Sequence, residues 1–282
     1  RLLAKSPETR YQTAEGLLPD LYRCQSNLMP DGLLTSFSLG QQDTQRNGLT
    51  SDALCSEHPQ AADILSAYNE VYSSGKHALV VIAGPPGSGK SSLMASSLKI
   101  LQHKQTLLTV VKAEQHSPVL PYAVFTAAFR TLALHLLGFP AAEMQRWKMH
   151  ILRQMGEYAG LAVSIIPELG VLLGQKATSL TELHSLDARD KFNCMACNLV
   201  KAFATPGRPL VMLIDDVHWA DQATFQVLQN LLSLSDDIPL LLVLSHRDEN
   251  SLPCPTACGN LARLRASASR ITDITPEPLS VK

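Results

Sequence analysis

A glycine-rich turn between an apolar run and a helical pattern constrains this chain more than any other feature. The turn reads Gly84-Pro85-Pro86-Gly87-Ser88-Gly89-Lys90-Ser91, and it follows the apolar run Ala78–Ala83. Its spacing is that of a P-loop, in which glycines let successive backbone N–H groups surround a triphosphate at a helix N-terminus. Because the motif and its flanks agree, the sequence predicts a nucleoside-triphosphate site at this turn.

The residue types of the turn predict separate roles in phosphate binding. Lys90 is expected to reach the β- and γ-phosphates, and the Ser91 hydroxyl is expected to ligate Mg²⁺. The predicted nucleotide-binding residues are Gly84, Pro85, Pro86, Gly87, Ser88, Gly89, Lys90, Ser91 and Ser92. The expected ligand is ATP with Mg²⁺, although no residue marks the base as adenine rather than guanine.

Two carboxylates follow a second apolar run and support the same site. The run at 210–214 ends in Asp215 and Asp216. The first acid of such a strand holds Mg²⁺ in P-loop proteins, so Asp215 is the predicted metal ligand beside Ser91. Asp216 is the predicted catalytic residue that orients or deprotonates the attacking water. Paired acids at a strand end also cap helices, and this alternative stays open.

The next apolar run ends in the polar residues Ser245, His246 and Arg247. A polar side chain at that strand end can contact the γ-phosphate, and Arg247 is the predicted catalytic sensor. A strand end that simply meets solvent is an equally weighted alternative. His218, close to the two acids, is expected to be a surface residue at the start of a helix rather than a proton carrier.

Four apolar runs without polar alternation, together with one weaker candidate strand, predict the fold class. The runs lie at 78–83, 106–111, 210–214 and 239–245, and the weaker candidate lies at 270–274. Such runs are typical of strands covered on both faces, and the intervals between them are long enough for helical crossovers. The interval 118–186 contains no clear strand and predicts several helices. The sequence therefore predicts an α/β P-loop NTPase fold, with three αβα layers, a parallel five-stranded sheet and an all-helical insertion.

Two helices have a clear apolar face. Between 187 and 204 this face contains Phe192, Met195, Ala196, Leu199 and Phe203. Between 221 and 233 it contains Phe225, Leu228, Leu231 and Leu232. Asp221 is the predicted N-cap of the second helix.

Composition argues against several classes of protein. The chain has 282 residues, with 24 Lys and Arg against 25 Asp and Glu, which argues against a broad basic footprint for nucleic acid. The apolar stretch at 161–174 contains Pro167 and Glu168 and is too short to span a membrane. We therefore expect a cytoplasmic domain with neither a nucleic-acid partner nor a membrane partner.

The cysteines carry a weaker signal. Six cysteines are too sparse for a disulfide scaffold at this length. A zinc site at Cys194 and Cys197 or at Cys254 and Cys258 is an alternative, but no histidine pair completes the ligand spacing. The first pair is expected on the polar face of an ordinary helix, which is the favoured interpretation.

The residues around the acid pair resemble a known family. Asp215-Asp216-Val217-His218-Trp219-Ala220-Asp221 is similar to the D-D-x-x-W-A-D signature of the STAND branch of AAA-like NTPases, the signal-transduction ATPases with numerous domains. Pro121-Tyr122-Ala123-Val124-Phe125 and Ile166-Pro167-Glu168-Leu169 fit the same group, and His246-Arg247-Asp248-Glu249-Asn250 resembles its Y-R-D-x-E segment. The resemblance implies an ATP-dependent conformational switch with slow hydrolysis.

The N-terminal residues extend the resemblance. Leu3-Ala4-Lys5-Ser6-Pro7-Glu8-Thr9-Arg10-Tyr11-Gln12 and Asp20-Leu21 look like the last helices of a serine/threonine protein kinase. This order resembles large multidomain kinases in which a histidine-kinase module follows the ATPase. The implied organisation is a kinase tail at 1–25, a linker at 26–60 and an ATPase domain at 61–282. The implied partners are neighbouring signalling domains of the same polypeptide, with nucleotide-dependent self-association.

The chain departs from these families at several points. The usual Y-G-R-E box is replaced by Leu54-Cys55-Ser56-Glu57, and the kinase catalytic motifs are absent from the sequence. The chain begins without methionine and ends before the expected lid and winged helix, so we expect a fragment of a larger polypeptide. Two alternative functions stay open, a nucleotide-binding scaffold that does not hydrolyse ATP and a DNA-associated AAA ATPase.

Overall fold

A computed structural model describes residues 11, 14–27, 37–40, 58–104, 106–114, 121–177, 187–234, 238–247 and 255–276. The chain divides into two compact units, Arg1–Ser56 and Glu57–Lys282. In the first unit, helix α1 spans Ala14–Ser26. The Asp20 carboxylate accepts hydrogen bonds from the Tyr11 hydroxyl (2.6 Å) and the Gly40 N–H (2.5 Å). The predicted kinase-tail pattern at 3–12 lies, apart from Tyr11, outside the described residues.

The second unit alternates strands and helices. Its helices are α2 (Ala61–Ser74), α3 (Lys90–Gln102), α4 (Ala123–Leu137), α5 (Ala141–Met155), α6 (Ala159–Ile165), α7 (Pro167–Leu173), α8 (Asp187–Phe203), α9 (Gln222–Leu234) and α10 (Pro255–Ser267). Its strands are β1 (Ala78–Ala83), β2 (Leu107–Lys112), β3 (Leu210–Asp215), β4 (Leu240–His246) and β5 (Ile271–Ile274). Each strand begins and ends within one residue of its predicted apolar run, so the predicted strand positions are confirmed.

The five strands form one parallel sheet in the order β2-β3-β4-β1-β5. Strand β4 lies between β1 and β3 and pairs with both, so that Ser245 is opposite Ile82 and Leu244 is opposite Ile214. On its other side, β1 pairs with β5, and Ile82 is opposite Ile274. The C-terminal ends of β3, β4, β1 and β5 therefore meet along one edge of the sheet.

Alternate residues of each strand face two different apolar layers. In β1, Leu79 and Val81 belong to the cluster that contains α4 to α10, whereas Val80 and Ile82 belong to the cluster that contains α2 and α3. All four side chains are buried. Burial on both faces is the reason that the strands read as continuous apolar runs. The predicted three-layer fold with a parallel sheet is confirmed.

The described residues of the interval between β2 and β3 form helices joined by short connections and contain no strand of the sheet. Helix α4 ends before Gly138, α5 ends before Gly156 in a left-handed conformation, and Pro167 is in the first turn of α7. Within this described part, the predicted helical insertion is confirmed, while residues 118–120 and 178–186 lie outside it. No helix in the described ranges is both long and apolar enough to cross a membrane.

The predicted apolar faces of α8 and α9 are buried at every predicted position. The expectation for the two cysteines of α8 is wrong in one respect. Cys194 is exposed, but Cys197 is buried in the core. Helix α8 contacts both α5 and α9, so a wider arc of its surface is covered than one apolar stripe indicates.

Candidate nucleotide-binding site

The glycine-rich turn joins β1 to α3 and has the backbone that its sequence requires. Gly87 and Gly89 adopt left-handed φ angles of 80° and 91°, which side-chain-bearing residues adopt only with strain. Gly89 is the residue immediately before the first turn of α3. Pro85, Pro86 and Gly87 form the exposed tip of the loop, and Ser92 lies in the first turn of the helix. The loop therefore leads directly to a helix N-terminus, which favours an anion.

The side chain of Lys90 lies over the loop rather than in solvent. It is 7% exposed, and its ammonium donates hydrogen bonds to the carbonyl oxygens of Gly84 and Pro85, both at 2.8 Å. The Ser88 hydroxyl is 3.5 Å away. Buried charges are stable only when hydrogen bonds compensate for lost water, and these carbonyls keep the predicted phosphate-binding cation at the loop.

The two predicted metal ligands meet although they are 124 residues apart in sequence. The Ser91 hydroxyl donates to Oδ2 of Asp215 at 2.9 Å. A hydroxyl and a carboxylate are hard oxygen donors, which suit Mg²⁺ together with phosphate oxygens and water. Within the described ranges, no group of three or more His, Cys, Asp or Glu is placed to hold a metal. Mg²⁺ on a P-loop needs no such group, because phosphates and water supply its remaining ligands.

Ser245 joins the two acids to the neighbouring strand. Its hydroxyl donates to Oδ1 of Asp215 and accepts the backbone N–H of Asp216 at 2.8 Å. Both carboxylate oxygens of Asp215 are therefore hydrogen-bonded, one to Ser91 and one to Ser245. This contact exists because β4 lies between β1 and β3, an order that the sequence does not reveal.

Asp216 has an unusual backbone conformation. Its φ of 54° is left-handed, which costs a residue other than glycine roughly 1–2 kcal/mol. Its carboxylate lies 3.5 Å from the ammonium of Lys112, whose own side chain is 62% exposed. Strained backbone is often found at functional sites, so the geometry is compatible with a positioned acid.

His218 was missed as a site residue, and the expectation of a surface position is wrong. It lies in a short 3₁₀ turn, Val217–Trp219, and is 5% exposed. Neither ring nitrogen has a hydrogen-bond partner among the described residues. Burial lowers the pKa of His218 below 6.5; Asp216 partly opposes this shift, and the cationic neighbours Arg247, His246 and Lys90 add to it. Asp216 has a positive φ, and His218 lies in the 3₁₀ turn that follows it. Since this turn is not an amphipathic helix, no helical spacing in the sequence indicates that His218 is buried.

Arg247 lies beside this turn. Its guanidinium carbon is 5.8 Å from the ring centroid of Trp219, a cation–π distance. The electrostatic contact of Arg247 with His218 also places it near the acid pair. The residues that follow it in the resemblance, Asp248-Glu249-Asn250, lie outside the described residues.

Asp221 connects two of the segments that carry the family resemblance. Its carboxylate accepts the Thr224 N–H at 2.9 Å and the Thr224 hydroxyl at 2.6 Å. The predicted N-cap of α9 is therefore confirmed. The same carboxylate accepts the backbone N–H of Tyr122 at 3.2 Å, just before α4, and the Tyr122 ring stacks on Phe192. These contacts attach the insertion to the strand end that contains the acids.

A second group of polar residues borders the loop on the side of β5. His58 is 4% exposed, and a methyl group on Gly89 would lie 4.0 Å from its Nε2 atom. Gln60 donates from Nε2 to the Thr275 carbonyl at 2.7 Å. Pro276 lies over Gly84, since its Cδ is 3.5 Å from the position of a Gly84 Cβ. Sequence reasoning missed these residues. His58 directly follows the altered box at 54–57, which itself lies outside the described residues.

Comparison with known proteins identifies the domain type. The family model described as an AAA ATPase domain matches residues 58–243. The chain is 27% identical over 252 residues to "Hybrid signal transduction histidine kinase G" of Dictyostelium discoideum, which covers 82% of this chain and 7% of that protein. It is 24% identical over 273 residues to "Histidine protein kinase 1" of Candida albicans, covering 82% of this chain and 11% of that protein. The chain thus spans a small part of both relatives.

Solved structures with a similar fold are distant. Drosophila ORC bound to DNA has a TM-score of 0.37 at 14% identity, covering 82% of this chain and 97% of that chain. The plasmid coupling protein TrwB in complex with ADP and Mg²⁺ has a TM-score of 0.30 at 12% identity, covering 68% of this chain and 69% of that chain. Neither likeness bears on function at these TM-scores.

Proposed function

Because the chain belongs to the AAA ATPase domain family, we propose that it binds ATP with Mg²⁺ and hydrolyses the nucleotide slowly as a conformational switch. The contact between Ser91 and Asp215, beside the buried ammonium of Lys90, carries this proposal. A helix N-terminus, a cation, a hydroxyl and a carboxylate converge at one edge of the sheet. These are the groups that bind a triphosphate and its metal in P-loop ATPases.

The proposed reaction transfers the γ-phosphoryl group to water. Mg²⁺, when bound, neutralises charge on the β- and γ-phosphates. The water oxygen bonds to the γ-phosphorus, and the bond to the β–γ bridging oxygen breaks, so that this oxygen leaves with ADP. Lys90 binds the phosphates, Asp216 orients the water and passes its proton to solvent, and Arg247 contacts the γ-phosphate.

The proposed switch acts within a larger signalling protein. Both curated relatives are histidine kinases by name, which supports a signalling role for this domain on the cytoplasmic side. The ATP and ADP states would differ around Asp216 and Arg247, and neighbouring domains of the same polypeptide would respond to that difference. Self-association that depends on nucleotide belongs to the same proposal.

A nucleotide-binding scaffold without hydrolysis is the second candidate. The ion pair between Asp216 and Lys112 favours it, because the ammonium gives this carboxylate a contact within the protein at 3.5 Å. In this alternative the Ser91–Asp215 pair still binds the metal, but no residue activates water.

Isothermal titration of Mg²⁺–ATP into the 282-residue chain tests nucleotide binding. We expect Lys90→Ala to weaken ATP binding by about a hundredfold, because it removes charge-assisted hydrogen bonds to phosphate. Lys104→Ala is the matched control, since Lys104 is an exposed lysine just beyond α3. Equal affinities of the folded wild type and Lys90→Ala would contradict the proposal.

Measurement of phosphate release distinguishes the ATP-hydrolysing switch from the scaffold that does not hydrolyse ATP. Asp216→Asn keeps a residue that tolerates a left-handed backbone but removes the carboxylate. We expect phosphate release to fall at least about tenfold while ATP affinity is retained. If the wild type binds ATP but releases no phosphate over hours, the scaffold is the correct function.

A further inference from the structure

Two cysteines of helix α8 share one cavity outside the nucleotide site. Cys194 and Cys197 are three residues apart in the middle of this helix, and both line a cavity of about 570 Å³. The cavity is also lined by Tyr158, from the 3₁₀ turn Gly156–Tyr158, and by Asn230 of α9. It therefore lies where α8 meets two neighbouring elements, and neither thiol has a role in the proposed hydrolysis.

The helical spacing brings the two thiols close together. Residues three apart in an α-helix have Cα atoms about 5 Å apart, because the helix rises about 1.5 Å per residue at a radius of about 2.3 Å. Disulfides span Cα separations of roughly 4.4–6.8 Å, so α8 already has a suitable Cα spacing. The Cβ atoms are about 5–6 Å apart at this spacing, against roughly 3.5–4.5 Å in a disulfide, so a bond between the sulfurs requires this turn of α8 to tighten by about 1–2 Å.

The two sulfurs differ in exposure. Cys194 is exposed, whereas Cys197 is 7% exposed and belongs to the apolar core. Burial raises the pKa of the Cys197 thiol; the Lys201 ammonium opposes this shift, and the neighbouring Cys194 adds to it. A buried thiol that keeps its proton reacts slowly with oxidants in solution. Cys194 is therefore the thiol that a small oxidant reaches first.

Tyr158 holds the exposed sulfur at the cavity. Its side chain is hydrogen-bonded to that of Cys194, and Cys194 is also the largest cause of a pKa of Tyr158 above the ordinary value. Among the described residues, no group of three or more His, Cys, Asp or Glu is placed to hold a metal. That part of the chain thus offers no further zinc ligand to the two cysteines, and their chemistry is that of a pair of thiols.

We propose that Cys194 and Cys197 form a reversible oxidation site that reacts with hydroperoxides, of which hydrogen peroxide is the simplest, and closes to a disulfide within α8. The Cys194 sulfur attacks one peroxide oxygen. The S–O bond forms, the O–O bond breaks, and the other oxygen leaves as water with the thiol proton.

The second thiol completes the reaction. The Cys197 sulfur attacks the sulfur of the Cys194 sulfenic acid, so that the S–S bond forms, the S–O bond breaks and the hydroxyl group leaves as water with the Cys197 proton. The two thiols are oxidised, and one hydrogen peroxide is reduced to two molecules of water. This chemistry goes beyond the proposed function of the loop and does not depend on it.

The helix that contains the pair leads into the strand that contains the acids. Helix α8 precedes β3, and its Phe192 stacks on Tyr122, whose backbone N–H donates to Asp221. Tightening the turn between Cys194 and Cys197 therefore deforms a helix that attaches the insertion to this strand end.

Mass spectrometry of the 282-residue chain tests the site. Trypsin cuts after Lys191 and Lys201, so both cysteines fall in the single peptide 192–201. We expect hydrogen peroxide to lower the mass of this wild-type peptide by two hydrogen atoms, and dithiothreitol to restore it. Cys197→Ala cannot form the disulfide and should accumulate a sulfenic acid at Cys194, which dimedone labels. Cys194→Ser should leave Cys197 unoxidised.

Cys24→Ser is the matched control, since Cys24 is a partly exposed free cysteine of the first unit, and it should not change the mass loss of the peptide. The decisive change is measured in the wild type, so misfolding of a variant does not affect it. Wild-type Cys194 that takes the dimedone label while the peptide never loses two hydrogens overturns the proposal. An unchanged peptide at a peroxide concentration that oxidises free cysteine in the same solution also overturns it.

Discussion

The two sides of the P-loop differ in how completely their polar groups are paired. On the β4 side, Asp215 accepts hydrogen bonds from Ser91 and Ser245. On the β5 side, three buried polar atoms of His58 and Gln60 have no partner among the described residues. Groups that must place a metal and a water molecule act best when they are held in advance. The comparison teaches that the first acid on the β4 side is held by two side chains of the protein, whereas His58 Nδ1, His58 Nε2 and Gln60 Oε1 have no such contact among the described residues.

Among the predicted effects, removal of the Asp215 charge is expected to cause the largest change, a loss of Mg²⁺-dependent ATP binding. Asp215→Asn keeps one acceptor oxygen, replaces the other by an NH₂ donor, and loses the negative charge that is expected to attract Mg²⁺. We expect ATP binding in the presence of Mg²⁺ to weaken by about a hundredfold, whereas binding in EDTA stays the same. Isothermal titration in both buffers measures this difference.

An exposed acid provides the control for that measurement. Asp273→Asn, on the edge strand β5, removes a charge paired with Arg265 at the surface and should leave Mg²⁺-dependent binding unchanged. A Mg²⁺ effect of the same size in wild type and Asp215→Asn would show that the β4 side does not bind the metal.

A substitution in the loop between the two sides is expected to have an intermediate effect on stability and ATP affinity. Gly89→Ala places a side chain at a φ of 91°, so the free energy of unfolding should fall by roughly 1–2 kcal/mol, and ATP affinity should fall with it. The matched control is Gly259→Ala in α10, where a Cβ meets nothing within 4 Å. That variant should gain roughly 0.4–1 kcal/mol. Urea unfolding measures both, and a stable Gly89→Ala variant with normal ATP affinity would contradict the strain argument.

The smallest expected effect is on the pH dependence of stability, and it tests the burial of His218 on the β4 side. The pKa of folded His218 lies below its unfolded value of 6.5 because the ring is buried. Below pH 6.5 the unfolded chain binds a proton that the folded chain does not, so this group makes stability fall as the pH drops towards the folded pKa. His218→Gln should remove up to about 1.4 kcal/mol per pH unit of that slope.

Urea unfolding between pH 7 and 5 measures the slope, with His103→Gln as the exposed control. The comparison uses the change of stability with pH, so a uniform loss of stability in His218→Gln does not affect it. Identical slopes in wild type and His218→Gln would show that the ring is protonated as easily in the folded chain as in the unfolded one.

Local patterns in the sequence were sufficient for the fold. Continuous apolar runs predict the central strands β1, β3 and β4 because both of their faces are covered. The buried faces of α8 and α9 follow from helical spacing. The loop residues and the first acid were also predictable, because each depends on a residue type at a fixed position beside a strand. Even the cap at Asp221 is a local hydrogen bond to Thr224.

The remaining features depend on contacts between distant segments. The sequence by itself determined which residues stand at the loop and at the end of β3, namely Lys90, Ser91 and Asp215, since their motifs are local. Only the tertiary structure decided that Ser245 joins the acids, because strand order depends on packing rather than on any one segment. It also decided that His218 is buried, that His58 lies near Gly89 and that Gln60 contacts Thr275. These residues carry no pattern of their own, and their surroundings come from elements far away in the chain.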